Sequence, residues 1–204
     1  MGAPSNRTAT LESQMIPMIQ DVPGQTLRQW VERLNAPPFD ELIRGLIDRD
    51  SGNIATSRIL VLNRYSIENY FLDPFVIFGI LIENNTAPKL DGISITSGDE
   101  HLVRGLSDQK LQTIVDFVQA QVQPKLSNLS ATDIHPTTMK FTNGRKIHYP
   151  SWMIERRGHD LLPVFQSVFG GASLISPPRL IKSLQRVRLI PKDIACLFAQ
   201  LQMG

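Results

Sequence analysis

The chain has 204 residues, 42% of them hydrophobic, and a formal net charge of +2, which allows one good core and a small second lobe. A single cysteine, Cys196, excludes an internal disulfide and a cysteine-based zinc cluster. So small a net charge does not announce a nucleic-acid binder, and the longest apolar stretch, Phe75 to Ile82, is too short to span a bilayer. A soluble, cytoplasmic protein is expected.

In chain order, residues 1–14 read as a flexible tail, small and polar from Met1 to Thr10, with no apolar core of the kind a secretory signal needs. Gln14 to Gln20 reads as a short strand. Gly24 to Leu34 reads as a helix with Leu27, Val31 and Leu34 on one face. Leu42 to Ile47 is expected to be a buried strand, and it runs into Asp48-Arg49-Asp50. If strand alternation continues, both carboxylates point to one side, about 7 Å apart, where they repel unless water or a metal relieves them. The competing reading is a solvated turn, with Asp48 at its start and Gly52 at its bend.

Leu60 to Leu62 reads as the next buried strand, after which Ser66 is placed to cap a helix starting at Ile67, with Glu68 in its first turn. A reciprocal capping box needs Glu or Gln three residues after Ser66, and Asn69 stands there instead, so Glu68 is expected to be free to face the carboxylate pair. Asn69 and Tyr70 are candidate hydrogen-bonding supports. Tyr70 equally suits a core position with its hydroxyl at the surface.

Asp73-Pro74 is a helix start, and that helix is expected to run to Glu83. Ala87 to Leu106 reads as a connecting loop. Ser107 then caps an amphipathic helix to Gln123, whose stripe is Leu111, Ile114, Val115, Val118 and Val122. Thr138 to Phe141 and Lys146 to Tyr149 flank Asn143-Gly144, a hairpin signal. Helices are expected around Asp160 to Phe169, Pro178 to Arg188 and Pro191 to Gln202, the last burying Cys196.

The apolar strand ending in Asp-Arg-Asp, the second strand, and the string Ser66-Ile67-Glu68-Asn69-Tyr70-Phe71-Leu72-Asp73-Pro74 carry a resemblance. They resemble Toprim-related domains found beside, or fused to, ATP-binding-cassette-type ATPases in bacterial defence systems, a group of unknown function with an Ile-Glu-Asn-Tyr box. These domains are distant relatives of the overcoming-lysogenization-defect nucleases. The similarity is closest over 40–76. It implies that Asp48 and Asp50 are the metal-binding pair and that Glu68 is the acid found next along the chain in the nuclease branch. Mg²⁺, or Mn²⁺ in its place, is the implied cofactor.

Toprim domains also carry a glutamate followed closely by glycine at the end of a first strand. None of Glu12, Asp21, Glu32, Asp40 and Glu41 fits that pattern. A strand-helix-strand unit takes roughly 30 residues, whereas fourteen precede Met15. Either the chain starts after that strand or the strand has been lost; Glu41 or Asp73 could stand in for its acid.

Lys140, Arg145, Lys146, His148, Arg156, Arg157 and His159 fall within twenty residues and could neutralise phosphates, with Lys146, Arg156 and Arg157 the foremost candidates for nucleic-acid contacts. They could equally be solvated edge charges. Tyr149 and Trp152 could stack on bases or form a packed turn. Gly158-His159 opens a helix, where backbone amides can meet an anion. The resemblance places a basic residue near this point, so His159 joins Asp48, Asp50 and Glu68 as a catalytic candidate.

An α/β fold is therefore expected: a Toprim-like, mostly parallel sheet flanked by helices over 15–106, incomplete at its N-terminus, then a mainly helical part over 107–204 with a small hairpin. The expected function is Mg²⁺-dependent phosphodiester hydrolysis by a nuclease, or a nuclease-derived subunit, of a phage-defence or mobile-element system. The alternative is a non-catalytic Toprim remnant that binds an ATPase partner, DNA or RNA; self-association is compatible with either.

Overall fold

A computed structural model of the chain describes residues 24–34, 43–50 and 52–202. The fold is mixed α/β. Helix α1 (Gly24–Leu34) precedes β1 (Gly45–Ile47) and β2 (Ile59–Val61), which pair in parallel with Gly45 opposite Ile59. Helices α2 (Glu68–Phe71), α3 (Pro74–Glu83) and α4 (Asp108–Val122) come next, then the antiparallel hairpin β3 (Pro136–Lys140) and β4 (Lys146–Pro150). Four helices complete the chain: α5 (Trp152–Glu155), α6 (Gly158–Val168), α7 (Pro177–Val187) and α8 (Lys192–Gln202).

Helix α3 is the centre. Every residue from Pro74 to Ile82 is buried, as expected of a helix that is apolar all round. Asp73 caps it by accepting from the Phe75 N–H at 3.1 Å, and Pro74 occupies the first turn, where its missing N–H costs nothing. The α4 stripe expected from sequence packs in the same core, all five residues inaccessible to solvent. The hairpin forms around Gly144, whose φ of +87° suits glycine. It sends Phe141 and Tyr149 inward against Phe75, with edge-on ring contacts at 5.5 and 6.3 Å. One hydrophobic cluster thus joins residues on both sides of Leu106.

Several sequence expectations shift. The strand expected over 42–47 is three residues long and ends before Asp48; Leu42, Glu41 and the segment Gln14 to Gln20 lie outside the described residues. Gly45 belongs to a close contact: a Cβ there would lie 3.1 to 3.2 Å from Leu27, Ile59 and Val31, so α1 rests directly on β1. Leu34, at the end of α1, is exposed. The loop over 87–106 contains a 3₁₀ turn, Glu100–Gly105. Cys196 is exposed, not buried; Ile194 and Leu197 take the inner face of α8, and a residue two positions after Ile194 points away from it at 3.6 residues per turn.

Candidate functional site

The acids are gathered by the segments in which the chain leaves β1 and β2. The Leu62 N–H donates to Ile47 O at 3.0 Å and the Arg49 N–H to Tyr65 O at 2.9 Å, so the two strands leave the sheet side by side. The chain then turns back at Asp50, whose φ is +27°. Asp50 is therefore not an extension of the strand, and period-2 alternation does not set its direction. As a hydrogen-bonding and charged neighbour it holds the Tyr65 phenol above its usual range.

Asp48 is half-buried at the parallel end. Its Oδ1 accepts from the Ile67 N–H at 3.1 Å, one residue ahead of α2, and its carbonyl accepts from Asn53 Nδ2 at 2.9 Å. The Asp48 carboxyl is pushed up to about 6, chiefly by burial. The Ile67 N–H opposes this. The charges of Glu68 and then Asp50 add to it, and Arg157 works against it. Three carboxylates and one guanidinium thus share a local field.

Glu68 is the first residue of α2. Its Oε2 is buried without a hydrogen-bond partner among the described residues, an arrangement that costs free energy unless something else satisfies the oxygen. Helix α6 closes over it at Gly158. A Cβ there would lie 2.6 Å from Glu68 Cβ, 2.7 Å from Ser66 Oγ and 3.0 Å from Asn69 N. Gly158→Ala is expected to separate α6 from α2 and cost about 1–3 kcal/mol, readable by urea denaturation; an unchanged midpoint would show that the contact relaxes freely.

Ser66 does not cap α2, which begins one residue later than expected and has no side-chain cap. Its Oγ donates to Asn69 Oδ1 at 3.0 Å, and that oxygen also accepts from the Ser66 N–H at 3.0 Å. Asn69 therefore supplies the reciprocal bond normally made by Glu or Gln. Its Nδ2 donates to Met153 O and Arg156 O at 3.0 and 2.9 Å. Both donors of its amide are spent fixing α2 to the segment that leads into α6. Tyr70 is buried, with its hydroxyl donating to Asp193 Oδ2 at 2.8 Å.

The basic candidates separate. Arg157 is exposed and acts on Asp48. Arg156 is not free for phosphate: Nη1 and Nη2 donate to Ser127 O and Asn128 O at 2.9 and 2.7 Å, and Nη2 lies 3.6 Å from Asp133. Lys146 is exposed on the hairpin, across from Lys140. His159 is exposed in the first turn of α6. Tyr149 and Trp152 are buried and cannot stack on bases; Trp152 packs on Phe165, ring centroids 6.4 Å apart. Sequence reading missed Tyr65, for which the local sequence offers no signal: its N–H donates to Ile154 O at 2.8 Å, tying the acid loop to α5.

Ionising Asp48 opposes folding. Its carboxyl titrates near 3.8 when unperturbed and near 6 in the fold, so in that window the folded chain holds a proton that the unfolded chain has lost. Stability from this group is present below 3.8 and is lost as pH rises through 6. Asp48→Asn is expected to stabilise the chain at pH 8 by about 1 kcal/mol, after discounting for partial exposure, or roughly 2–4 °C in Tm. Near pH 4 the gain should vanish. A lower Tm for the variant at pH 8 would contradict this electrostatic picture.

Hard oxygen donors of this kind suit Mg²⁺ or Mn²⁺, and the unpartnered Glu68 oxygen is compatible with a cation. Among the described residues, no group of three or more His, Cys, Asp or Glu side chains is arranged to hold a metal ion. Also among the described residues, no helix is long and apolar enough to cross a membrane. Comparison with family models, with curated proteins and with solved structures gives no match for this chain.

Proposed function

We propose that this chain is a Mg²⁺-dependent phosphodiester hydrolase, a nuclease or nuclease-derived subunit of a phage-defence or mobile-element system, with β1 and β2 in a Toprim-like arrangement. The observation that carries the proposal is the buried Oε2 of Glu68, without a partner among the described residues, next to a half-buried Asp48 whose carboxyl is pushed up to about 6. Parallel strands with acids beyond their carboxyl ends also match where open α/β sheets bind ligands.

Asp48 and Glu68 would hold the Mg²⁺ or Mn²⁺, with water and phosphate oxygens completing its coordination and Asp50 adding negative charge from the adjacent turn. When bound, such an ion stabilises charge on the phosphoryl group and makes a bound water a better nucleophile. Arg157 would neutralise substrate phosphate at the rim. His159, next to Gly158 on the helix end that abuts Glu68, is the candidate for moving a proton to the leaving oxygen.

Incubating the chain with single- and double-stranded DNA and RNA, with Mg²⁺, with Mn²⁺ and with EDTA, tests the proposal. Cleavage that needs the metal is expected; cleavage that survives EDTA would overturn it. A second reading, a non-catalytic remnant that binds an ATP-binding-cassette-type ATPase or nucleic acid, is favoured by the lack of a third acid in the cation-holding group among the described residues. It becomes the better one if folded protein neither binds metal nor cleaves.

A further inference from the structure

The hairpin has two outer edges, and they are treated differently. The Phe141 N–H donates to Arg145 O and the Ser151 N–H to His135 O, so odd-numbered residues of β3 bond β4 and even-numbered ones turn their N–H and C=O outward. On β4 the outward groups of His148 are both satisfied by Gln112 on α4: Nε2 donates to His148 O at 2.8 Å and Oε1 accepts from the His148 N–H at 2.9 Å. On β3 the edge is paired just beyond the strand, where the Thr142 N–H donates to Ile190 O at 3.0 Å and Phe141 bridges Pro191. At Thr138 and Lys140, among the described residues, the outward N–H and C=O groups have no partner.

These open groups border a groove between β3 and α8. One part, about 650 Å³, is lined by Arg49, Thr138, Lys140, Lys192, Cys196 and Leu197 among others. A second part, about 320 Å³, shares Lys192 and Cys196 and continues past Thr142 and Ala199. Lys140 and Lys192 are exposed and have no ion-pair partner among the described residues, while Arg49 donates to Asn63 O at 3.1 Å and lies 3.9 Å from Glu155, which also lines the groove. Asp193 also lines the groove, but its Oδ2 is taken by Tyr70.

We propose that this groove binds an extended acidic peptide segment of a partner protein, which adds as a strand to the edge of β3 at Thr138 and Lys140 and sets its carboxylates against Lys140, Lys192 and Arg49. Main-chain bonds at such an edge give affinity and alternate side chains give specificity. Charge decides among the occupants: a second copy of this chain would bring two Lys140 and two Lys192 side chains into one groove, an unfavourable meeting of like charges. A nucleic-acid strand fits less well, because such grooves stack bases on aromatic rings and the ring lining this one, Phe141, is buried.

The sole cysteine of the chain lies in the groove and is exposed, so its alkylation rate reports occupancy. A blocked peptide of alternating valine and glutamate is expected to slow Cys196 alkylation about fivefold at saturation, as edge strand addition would. Its valine–lysine counterpart should not. The doubly reversed variant Lys140→Glu, Lys192→Glu should lose the protection. Thr138→Pro should lose it too, since it removes an outward N–H without breaking a bond to β4. Circular dichroism confirms that each variant is folded, and the charge reversal serves if the proline variant is not. Protection by both peptides alike, protection by oligothymidylate in place of the acidic peptide, protection that grows with protein concentration alone, or no protection at all would each overturn the proposal.

Discussion

Arg64→Ala is expected to cost about 3–5 kcal/mol, because removing one partner of a buried ion pair strands the other charge. The Arg64 guanidinium is 1% exposed and sits where α2, the start of α3 and β4 meet. Nη2 donates to Asp73 Oδ2 at 3.0 Å and Nη1 to Asn69 O at 2.7 Å. Its planar face lies 4.5 Å from the Tyr70 ring centroid and 5.8 Å from that of Tyr149. The Tyr149 hydroxyl lies 3.0 and 3.1 Å from the two Asp73 oxygens, as a donor shared between them. The loss should appear as a lower urea midpoint at unchanged slope. Asp73→Asn should cost a comparable amount, since it strands the buried Arg64 guanidinium even though an amide oxygen can still cap the Phe75 N–H. A loss below about 1 kcal/mol for Arg64→Ala would mean that water satisfies Asp73 in its place.

The second large effect is on activity. Asp48→Asn and Glu68→Gln are each expected to reduce metal-dependent cleavage about a thousandfold, the rate equivalent of roughly 4 kcal/mol of metal-assisted charge stabilisation. The fold should survive both changes. Neither carboxylate belongs to the Arg64 network, and Asp48→Asn should even gain stability above pH 6. Loss of cleavage together with a gain in stability separates a site residue from a structural one, because removing a structural residue lowers both. Asp50→Asn should do less, since the Asp50 carboxylate is already engaged by Tyr65. Cleavage unchanged in Asp48→Asn and Glu68→Gln would remove the proposed site.

The parts of the fold that sequence foretold are those written locally. Asp73-Pro74 and Ser107 start their helices by caps that act within a turn, Asn143-Gly144 closes the hairpin, and the α4 stripe is buried as its spacing requires. That Asp48 and Glu68 act on one another follows from the parallel pairing of β1 and β2, whose ends bring Asp48 and the first turn of α2 to one side of the sheet. The misses come from contacts distant in sequence. Asn69 looked idle because it cannot complete a capping box, yet its Oδ1 accepts from the Ser66 N–H and Oγ while its Nδ2 reaches residues 84 and 87 positions away. Arg156 looked like a phosphate contact until carbonyls at Ser127 and Asn128 claimed it. For Asp50 the period-2 argument does not apply, because the residue lies past the end of the strand with positive φ, although its charge still acts on Asp48.

Calorimetric titration of Mg²⁺ into the intact chain at pH 7.5, beside Glu68→Gln and Asp48→Asn, tests the central claim most directly. One bound ion per chain, with heat lost in both variants while their circular dichroism is unchanged, is the expected result. No binding to the unmodified chain, or binding that persists in both variants, would contradict it.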